Sequence, residues 1–231
     1  MDQLRNLDQA AAARNILITE IETRAKIGIA LIPDSEAINR IVACQQAMRQ
    51  VHPLAPILAT EQNLPHITLI QGRFARAPIF FDLLEKLKVY LQSNKYSNQL
   101  SFSELYFRDG GWYYCLIAAA EILRTSHDFV FSSLRDNFVV LEEDRLLEKA
   151  NISESVRRNW LSYGYGYIGE AFQPHITLGR TSDLGRCEQE NKLSEIFNTY
   201  LAGYQTTIQS LTIYKLGENG CHSVTLDSIP Y

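Results

Sequence analysis

The chain has 231 residues, 46% of them apolar and 21% charged, with a formal charge of −4. That is the balance of a globular protein with a sizeable core, not of a disordered or fibrous one. The negative charge argues against a broad footprint on long duplex nucleic acid, which draws on many Lys and Arg contacts to phosphates, and no run reaches the roughly 18 apolar residues of a membrane span.

Leu4, Leu7, Ala11, Ile18 and Ile21 recur at helical spacing, which predicts an amphipathic extension over residues 1–25 packed on a body formed by 26–231. Charges interrupt every apolar run in this segment, so it lacks the h-region of a secretory signal and a cytoplasmic location is expected. "KIGIALIPD" reads as a short apolar strand ended by Pro33, after which Asp34 or Ser35 caps a helix with Ile38, Ile41, Val42 and Gln45–Met48 on its apolar face. "LPHITLIQGRF" is the next strand. A helix follows Pro78 with Phe80, Leu83, Leu84, Leu87 and Leu91 along one face. "QLSFSELYFRD" and "GWYYCLIAAA" form a hairpin about Asp109-Gly110-Gly111, and Trp112, Tyr113 and Tyr114 are read there as core or cross-strand residues.

A helix through Leu123, Val130, Leu134 and Phe138 comes next. The charged stretch "LEEDRLLEKANISESVRRNWL" is then read as a partly solvated helical insert near 142–160, with Arg157 and Arg158 on its wet side. "YGYGYIGE" is a loop, because three tyrosines separated by glycines have no helical reason to sit there. "FQPHITLGR" is a strand, a helix carries Leu193, Ile196, Phe197, Tyr200 and Leu201, and "TTIQSLTIYKL" and "HSVTLDSI" close the chain through Gly217–Gly220. Strands and helices alternate in an order that repeats, which gives an α+β class built from one unit used twice. Cys44, Cys115, Cys187 and Cys221 lie far apart without a C-x-x-C pair, so they are read as free buried thiols, not as a zinc or dithiol site.

The pentapeptide "PHITL" occurs at 65–69 and again at 174–178. In an extended strand alternate side chains share a face, so His66 and Thr68 point one way and Ile67 and Leu69 the other, with the same division for His175 and Thr177 against Ile176 and Leu178. Histidine has no special reason to recur in strands. No third His, Asp or Glu stands at ligand spacing beside either one, so metal is the weaker reading, and neither a G-x-S-x-G elbow nor a placed cysteine offers a nucleophile. Two imidazoles and two hydroxyls suit a phosphodiester reaction without metal or cofactor. One neutral imidazole takes a proton from the attacking oxygen, the other gives one to the departing oxygen, and the hydroxyls donate to the non-bridging oxygens. Here His175 is assigned the base and His66 the acid, roles that exchange with the direction of attack.

Two H-x-T elements in one chain of this size, the second reading "PHITLGR", resemble the two-histidine phosphoesterase superfamily, which includes cyclic phosphodiesterases and the so-called RNA 2′,5′-ligases. The resemblance runs from about Lys26 to the C-terminus. It implies a bilobal duplicated fold with two antiparallel sheets facing a central cleft, helices outside, and one H-x-T strand from each lobe. It also implies metal-independent cleavage of 2′,3′-cyclic or 2′,5′-linked phosphodiesters of small nucleotides or RNA ends. By matching positions, His66, Thr68, His175 and Thr177 are the catalytic set, and Arg180 matches a frequent basic position. The first motif continues "IQGRF" where the bacterial RNA-ligase-like branch usually has a "FLG" ending.

Arg73 and Arg180 both follow a motif strand, where an arginine reaches a phosphate bidentately or is simply solvated. Tyr165, with Tyr163 and Tyr167, is a candidate for stacking on a base; tyrosines also close loops over cores. His52, His127 and His222 have no companion motif and receive no role. The expected protein is a monomeric enzyme; the rival readings are a nucleotide or RNA-end binding module that keeps the cleft without turnover, and a structural protein whose repeat records a duplication.

Overall fold

The computed structural model describes residues 2–93, 98–118, 121–145, 152–182 and 189–230. In chain order these form α1 (Asp2–Glu22), β1 (Ile27–Pro33), α2 (Ser35–Arg49), β2 (Ile67–Phe74), α3 (Pro78–Ser93), β3 (Gln99–Arg108), β4 (Trp112–Ile117) and α4 (Glu121–Leu134). There follow β5 (Phe138–Val139), α5 (Glu154–Tyr163), β6 (His175–Arg180), α6 (Glu190–Tyr200), β7 (Gln205–Leu216) and β8 (His222–Pro230). Capping chemistry sets several of these ends. The Asp34 carboxylate accepts from Ala37 N at 2.9 Å to start α2, and its other oxygen accepts from Thr206 Oγ1 at 2.8 Å, tying that helix to β7. Ser153 Oγ accepts from Val156 N at the start of α5, and Gly164, at φ 66, ends that helix in the left-handed region that glycine reaches without strain.

Every strand pair is antiparallel. β2, β1, β7 and β8 make one array and β6, β4 and β3 another. The two arrays are joined at two seams: the single pair Ile67 with Ile176, and a short ladder between Gln99–Ser101 of β3 and Gln205–Thr207 of β7. The halves of the chain therefore interleave. The second motif strand, β6, pairs with the hairpin β3–β4 of the first half, while the first motif strand, β2, sits in the array completed by the closing hairpin β7–β8.

One apolar cluster runs through both arrays. It takes Ile67 and Leu69 from β2, Ile176 and Leu178 from β6, Phe80, Leu83 and Leu87 from α3, and Leu193 and Phe197 from α6. α2 and α6 pack together on the outside, and α1 packs along β8 with Leu17 and Ile21 in the core. The side chains of Leu4, Leu7, Ala11 and Leu91 lie outside the described residues, as does Cys187; Cys44 and Cys115 are buried free thiols, and Cys221 is half-buried.

Two elements differ from their sequence reading. Phe138 does not extend α4: the chain leaves the helix at Leu134, makes a 3-10 turn over Arg135–Asn137, and sets Phe138 in β5 opposite Phe74, the rings 4.8 Å apart. Four-residue spacing alone does not distinguish a helical aromatic from one that reaches the same core from a following strand. The charged insert is a 3-10 turn, Glu142–Arg145, and the helix α5; residues 146–151 lie outside the described ones. Arg158 is exposed and Arg157 half-buried.

His127 belongs to this framework. It is fully buried on α4, with Nδ1 2.8 Å from Leu69 O of β2, Nε2 accepting from Gly169 N at 2.9 Å, and the ring 4.0 Å from Phe172 at 6°. It thus pins the first motif strand to the segment that leads into the second. Only the neutral ring, with its proton on Nδ1, satisfies both bonds. Burial pushes its pKa down, against the pull of the Leu69 carbonyl. Because the folded pKa is depressed, its contribution is complete above about pH 6.5 and is lost as pH falls below that value. His127→Phe keeps the stacking and strands both backbone groups, so chemical unfolding at pH 7.5 is expected to show a loss of about 2–4 kcal/mol; unchanged stability would exclude this linking role.

Candidate active site

The seam between the motif strands builds the site. With Ile67 opposite Ile176, antiparallel register sets His66 across from Thr177 and Thr68 across from His175, all four on the face opposite to the two isoleucines. The isoleucines are fully buried in the core, and the four polar side chains line a cavity of about 920 Å³. The expected catalytic set is therefore brought together in one place.

The two "PH" pairs do the same job locally. Nδ1 of His66 lies 2.8 Å from Leu64 O, and Nδ1 of His175 lies 2.8 Å from Gln173 O, each carbonyl being two residues back. The intervening proline fixes its own φ, which sets the path of the backbone between that carbonyl and the ring. A carbonyl only accepts, so Nδ1 carries the proton of each neutral ring and Nε2 presents its lone pair. Both histidines have pKa values pushed down to about 4, chiefly by burial against the bonds to Leu64 and Gln173 that pull upward; His222 and His175 add to the depression at His66, and Arg108 at His175.

On the His66 side, Tyr214 reaches across β1. It pairs with Gly28, where a Cβ would lie 2.2 Å from the tyrosine ring, so only glycine leaves the ring its place. The Tyr214 hydroxyl lies 3.1 Å from His66 Nε2, 3.4 Å from Thr68 Oγ1 and 2.8 Å from Gln71 Nε2. His222 stacks on Tyr214 at 4.7 Å and lines the cavity 5.7 Å from His66, centroid to centroid. On the other side, the Tyr114 ring lies 4.1 Å from that of His175, with Trp112 stacked on Tyr114 at 6.0 Å.

Among the described residues five cations line the cavity, and carboxylates neutralise three of them. Lys26 pairs with Asp144 at 2.6 Å, Arg73 with Asp144 at 2.9 Å and Glu143 at 3.1 Å, and Lys215 with Glu20 at 2.8 Å. Arg73 is thereby committed to structure. Arg180 and Arg108 have no carboxylate partner among the described residues. Arg180 is aimed by Gly110 O at 3.0 Å and Asn219 Oδ1 at 3.2 Å, over the Trp112 ring; the Arg108 guanidinium lies 4.2 Å over the ring of Tyr167.

Of the three tyrosines expected in one loop, Tyr165 and Tyr167 line the cavity, while Tyr163 is the last residue of α5 and packs on Phe131 and Phe138, both at 5.3 Å. Trp160 and Tyr165 meet edge to face, and burial pushes the Tyr165 phenol up, so it stays protonated. Sequence reasoning missed Arg108, Trp112, Tyr114, Tyr214 and His222. For two of them a signal was present: Tyr113, Cys115 and Ile117 share the buried face of β4, so period-two alternation turns Trp112 and Tyr114 to the other, cavity face. Among the described residues no three His, Cys, Asp or Glu side chains gather as a metal centre would need, and none of the described helices is long and apolar enough to cross a membrane.

No family model matches this chain, and no curated protein matches it. Among the solved structures similar to it are two that match over most of its length. A crystal structure of a phosphoesterase has a TM-score of 0.50 at 12% identity, covering 89% of this chain and 98% of its own; Usb1 from Kluyveromyces marxianus has a TM-score of 0.46 at 10% identity, covering 90% and 99%. At 12% identity the likeness to the solved phosphoesterase is one of fold, and it bears out the fold expected from the paired motifs.

Proposed function

We propose that this chain is a two-histidine phosphoesterase that hydrolyses 2′,3′-cyclic or 2′,5′-linked phosphodiesters of small nucleotides or RNA ends without a metal ion, acting as a cytoplasmic monomer. One observation carries the reading: two imidazoles, each with Nδ1 held by a backbone carbonyl, share a cavity with two threonine hydroxyls and two arginines that no carboxylate among the described residues neutralises. A phosphate between the motif strands is flanked by an imidazole on either side. His175 Nε2 takes the proton of the attacking water as its oxygen bonds to phosphorus; the bond from phosphorus to the sugar oxygen breaks, and that oxygen receives a proton from His66 Nε2. Thr68 and Thr177 donate to the non-bridging oxygens, and Arg108 and Arg180 balance the charge that grows there.

Both rings are neutral at pH 7 in the free protein. An arriving phosphate anion raises the pKa of the imidazole it touches, so the acid acquires its proton with substrate in place. The cavity lies near the top of the range of about 300–1,000 Å³ usual for ligand pockets, and Tyr165, Tyr167 and Trp160 offer ring faces for a base. One chain supplies every group, so a monomer suffices. The test is a panel of 2′,3′-cyclic, 2′,5′-linked and 3′,5′-linked phosphodiesters incubated in EDTA, with product regiochemistry read by ³¹P NMR. Turnover of the cyclic or 2′,5′ compounds is expected. Affinity without product supports a binding module instead, and activity that EDTA abolishes overturns the metal-independent mechanism.

A further inference from the structure

The two motifs are alike, yet their surroundings treat the two histidines differently. Among the described residues nothing hydrogen-bonds to Nε2 of His175, and its nearest ring neighbour, Tyr114, lies against the imidazole. Nε2 of His66 is 3.1 Å from the hydroxyl of Tyr214, a fully buried residue that does not itself line the cavity.

Donor counting gives the direction of that bond. Leu64 O accepts from His66 Nδ1, so Nε2 of the neutral ring is an acceptor. The Gln71 group facing Tyr214 also faces Gly220 O at 3.2 Å; since a carbonyl only accepts, that group is the amide nitrogen, and it donates to the Tyr214 oxygen at 2.8 Å. The phenolic proton is left to point at His66. The alternative acceptor, Thr68 Oγ1, is 3.4 Å away, beyond the usual O–H···O range.

We propose that Tyr214 makes the two histidines inequivalent: by donating its proton to Nε2 of His66 it holds that ring neutral in the resting site and leaves His175 as the imidazole whose lone pair is open to take the first proton. The inference rests on the acid/base reading above and deepens it by ordering the pair. A protonated His66 must place a hydrogen where the Tyr214 hydrogen already lies. The phenolic hydrogen then turns toward Thr68 over the longer distance, so the charged ring is served worse than the neutral one. Other groups act in the same direction. His66 faces Tyr214 on β7, His222 on β8, His175 on β6, and Thr68 and Gln71 on its own strand, with no carboxylate among the described neighbours. With substrate in place the departing oxygen takes over from the Tyr214 hydroxyl at Nε2 and the phosphate favours the charged ring, so His66 gains its proton and presents it to the substrate only then, which suits a general acid. Tyr214 is a positioning residue in this scheme, because it acts through His66 and touches no substrate.

The experiment follows the ring resonances of His66 and His175 by NMR against pH in the ligand-free protein. In Tyr214→Phe the His66 midpoint is expected to rise by about half to one pH unit, the effect of one neutral hydrogen bond, while His175 stays in place. 3-Fluorotyrosine at position 214 keeps the shape, strengthens the donor and moves the His66 midpoint down, which covers the case of a phenylalanine variant that folds poorly. A His66 midpoint unmoved by both changes, or a His175 midpoint that moves equally, overturns the inference. In kcat against pH the alkaline limb moves with His66 in Tyr214→Phe; movement of the acid limb would make His66 the base and overturn the ordering. The failures are separable. An inert protein in which His66 still shifts overturns the proposed chemistry alone, and an active one in which it does not shift overturns this inference alone.

Discussion

Alanine at His66 or at His175 lowers kcat on a competent phosphodiester by about 10²- to 10⁴-fold, the usual contribution of one general acid or base, while substrate affinity changes little. The reason is the division of labour in the cavity. Thr68, Thr177, Arg108 and Arg180 all line the cavity, and in the proposed mechanism they hold the phosphate whether or not the imidazoles are present, so losing a ring is expected to remove a proton transfer and leave the ground-state contacts. A variant changed at both histidines should lose less than the product of the two single losses, since the rings serve one displacement in concert. Single-turnover rates with pre-bound substrate measure this directly. Near wild-type rates in both single variants would end the assignment, and a rise in KM with unchanged kcat would make the histidines binding groups only.

Asp144→Asn is expected to cost about 3 kcal/mol of unfolding free energy at pH 7, in the range for breaking a buried ion pair. The carboxylate is 2% exposed and holds Arg73, 16% exposed, and Lys26, 37% exposed, in one clasp. Solvent screens the lysine in part, so Arg73 accounts for most of the loss. The clasp joins β2 and the approach to β1 to the turn Glu142–Arg145, and Gly164, at the end of α5, packs on Asp144, where a Cβ would lie 3.5 Å from that of the aspartate. The same contact therefore supports the loop that carries Tyr165 over the cavity. Burial alone would raise the Asp144 pKa, but the hydrogen bonds from Lys26 and Arg73 outweigh it and hold the group below 3.8. Its folded pKa is depressed, so its contribution is complete above about pH 3.8 and is lost as pH falls through the folded value. Urea unfolding at pH 7 and at pH 3 should show the gap between wild type and Asp144→Asn narrowing on acidification. A gap that is absent at pH 7, or equal at both values, would refute the clasp.

Residue patterns of short range were legible in the chain itself. The cap at Asp34, the helix that starts at Pro78, the hairpin about Asp109-Gly110-Gly111 and the alternation through His66-Ile67-Thr68 each rest on neighbours within a few positions, and each stands in the structure where it was expected. Phe138 was misplaced because its spacing fits a helix as well as it fits a following strand. Arg73 looked equivalent to Arg180, and the approach of Asp144, far along the chain, separates them: one is neutralised, and the other lines the cavity without a counter-charge among the described residues. His222 had no motif around it and is still a wall of the site, because β8 brings it beside the His66 ring, just ahead of β2, to which no local pattern links it.

The amino-acid sequence by itself determined which side chains are candidates for the chemistry and how they are grouped, since an H-x-T strand puts imidazole and hydroxyl on one face. Tertiary structure decided which of those presented groups meet. The interleaving of the two halves, the reach of Tyr214 across Gly28 and the neutralisation of Arg73 are contacts between segments distant in the chain, and their energies depend on distance and burial that no local periodicity encodes.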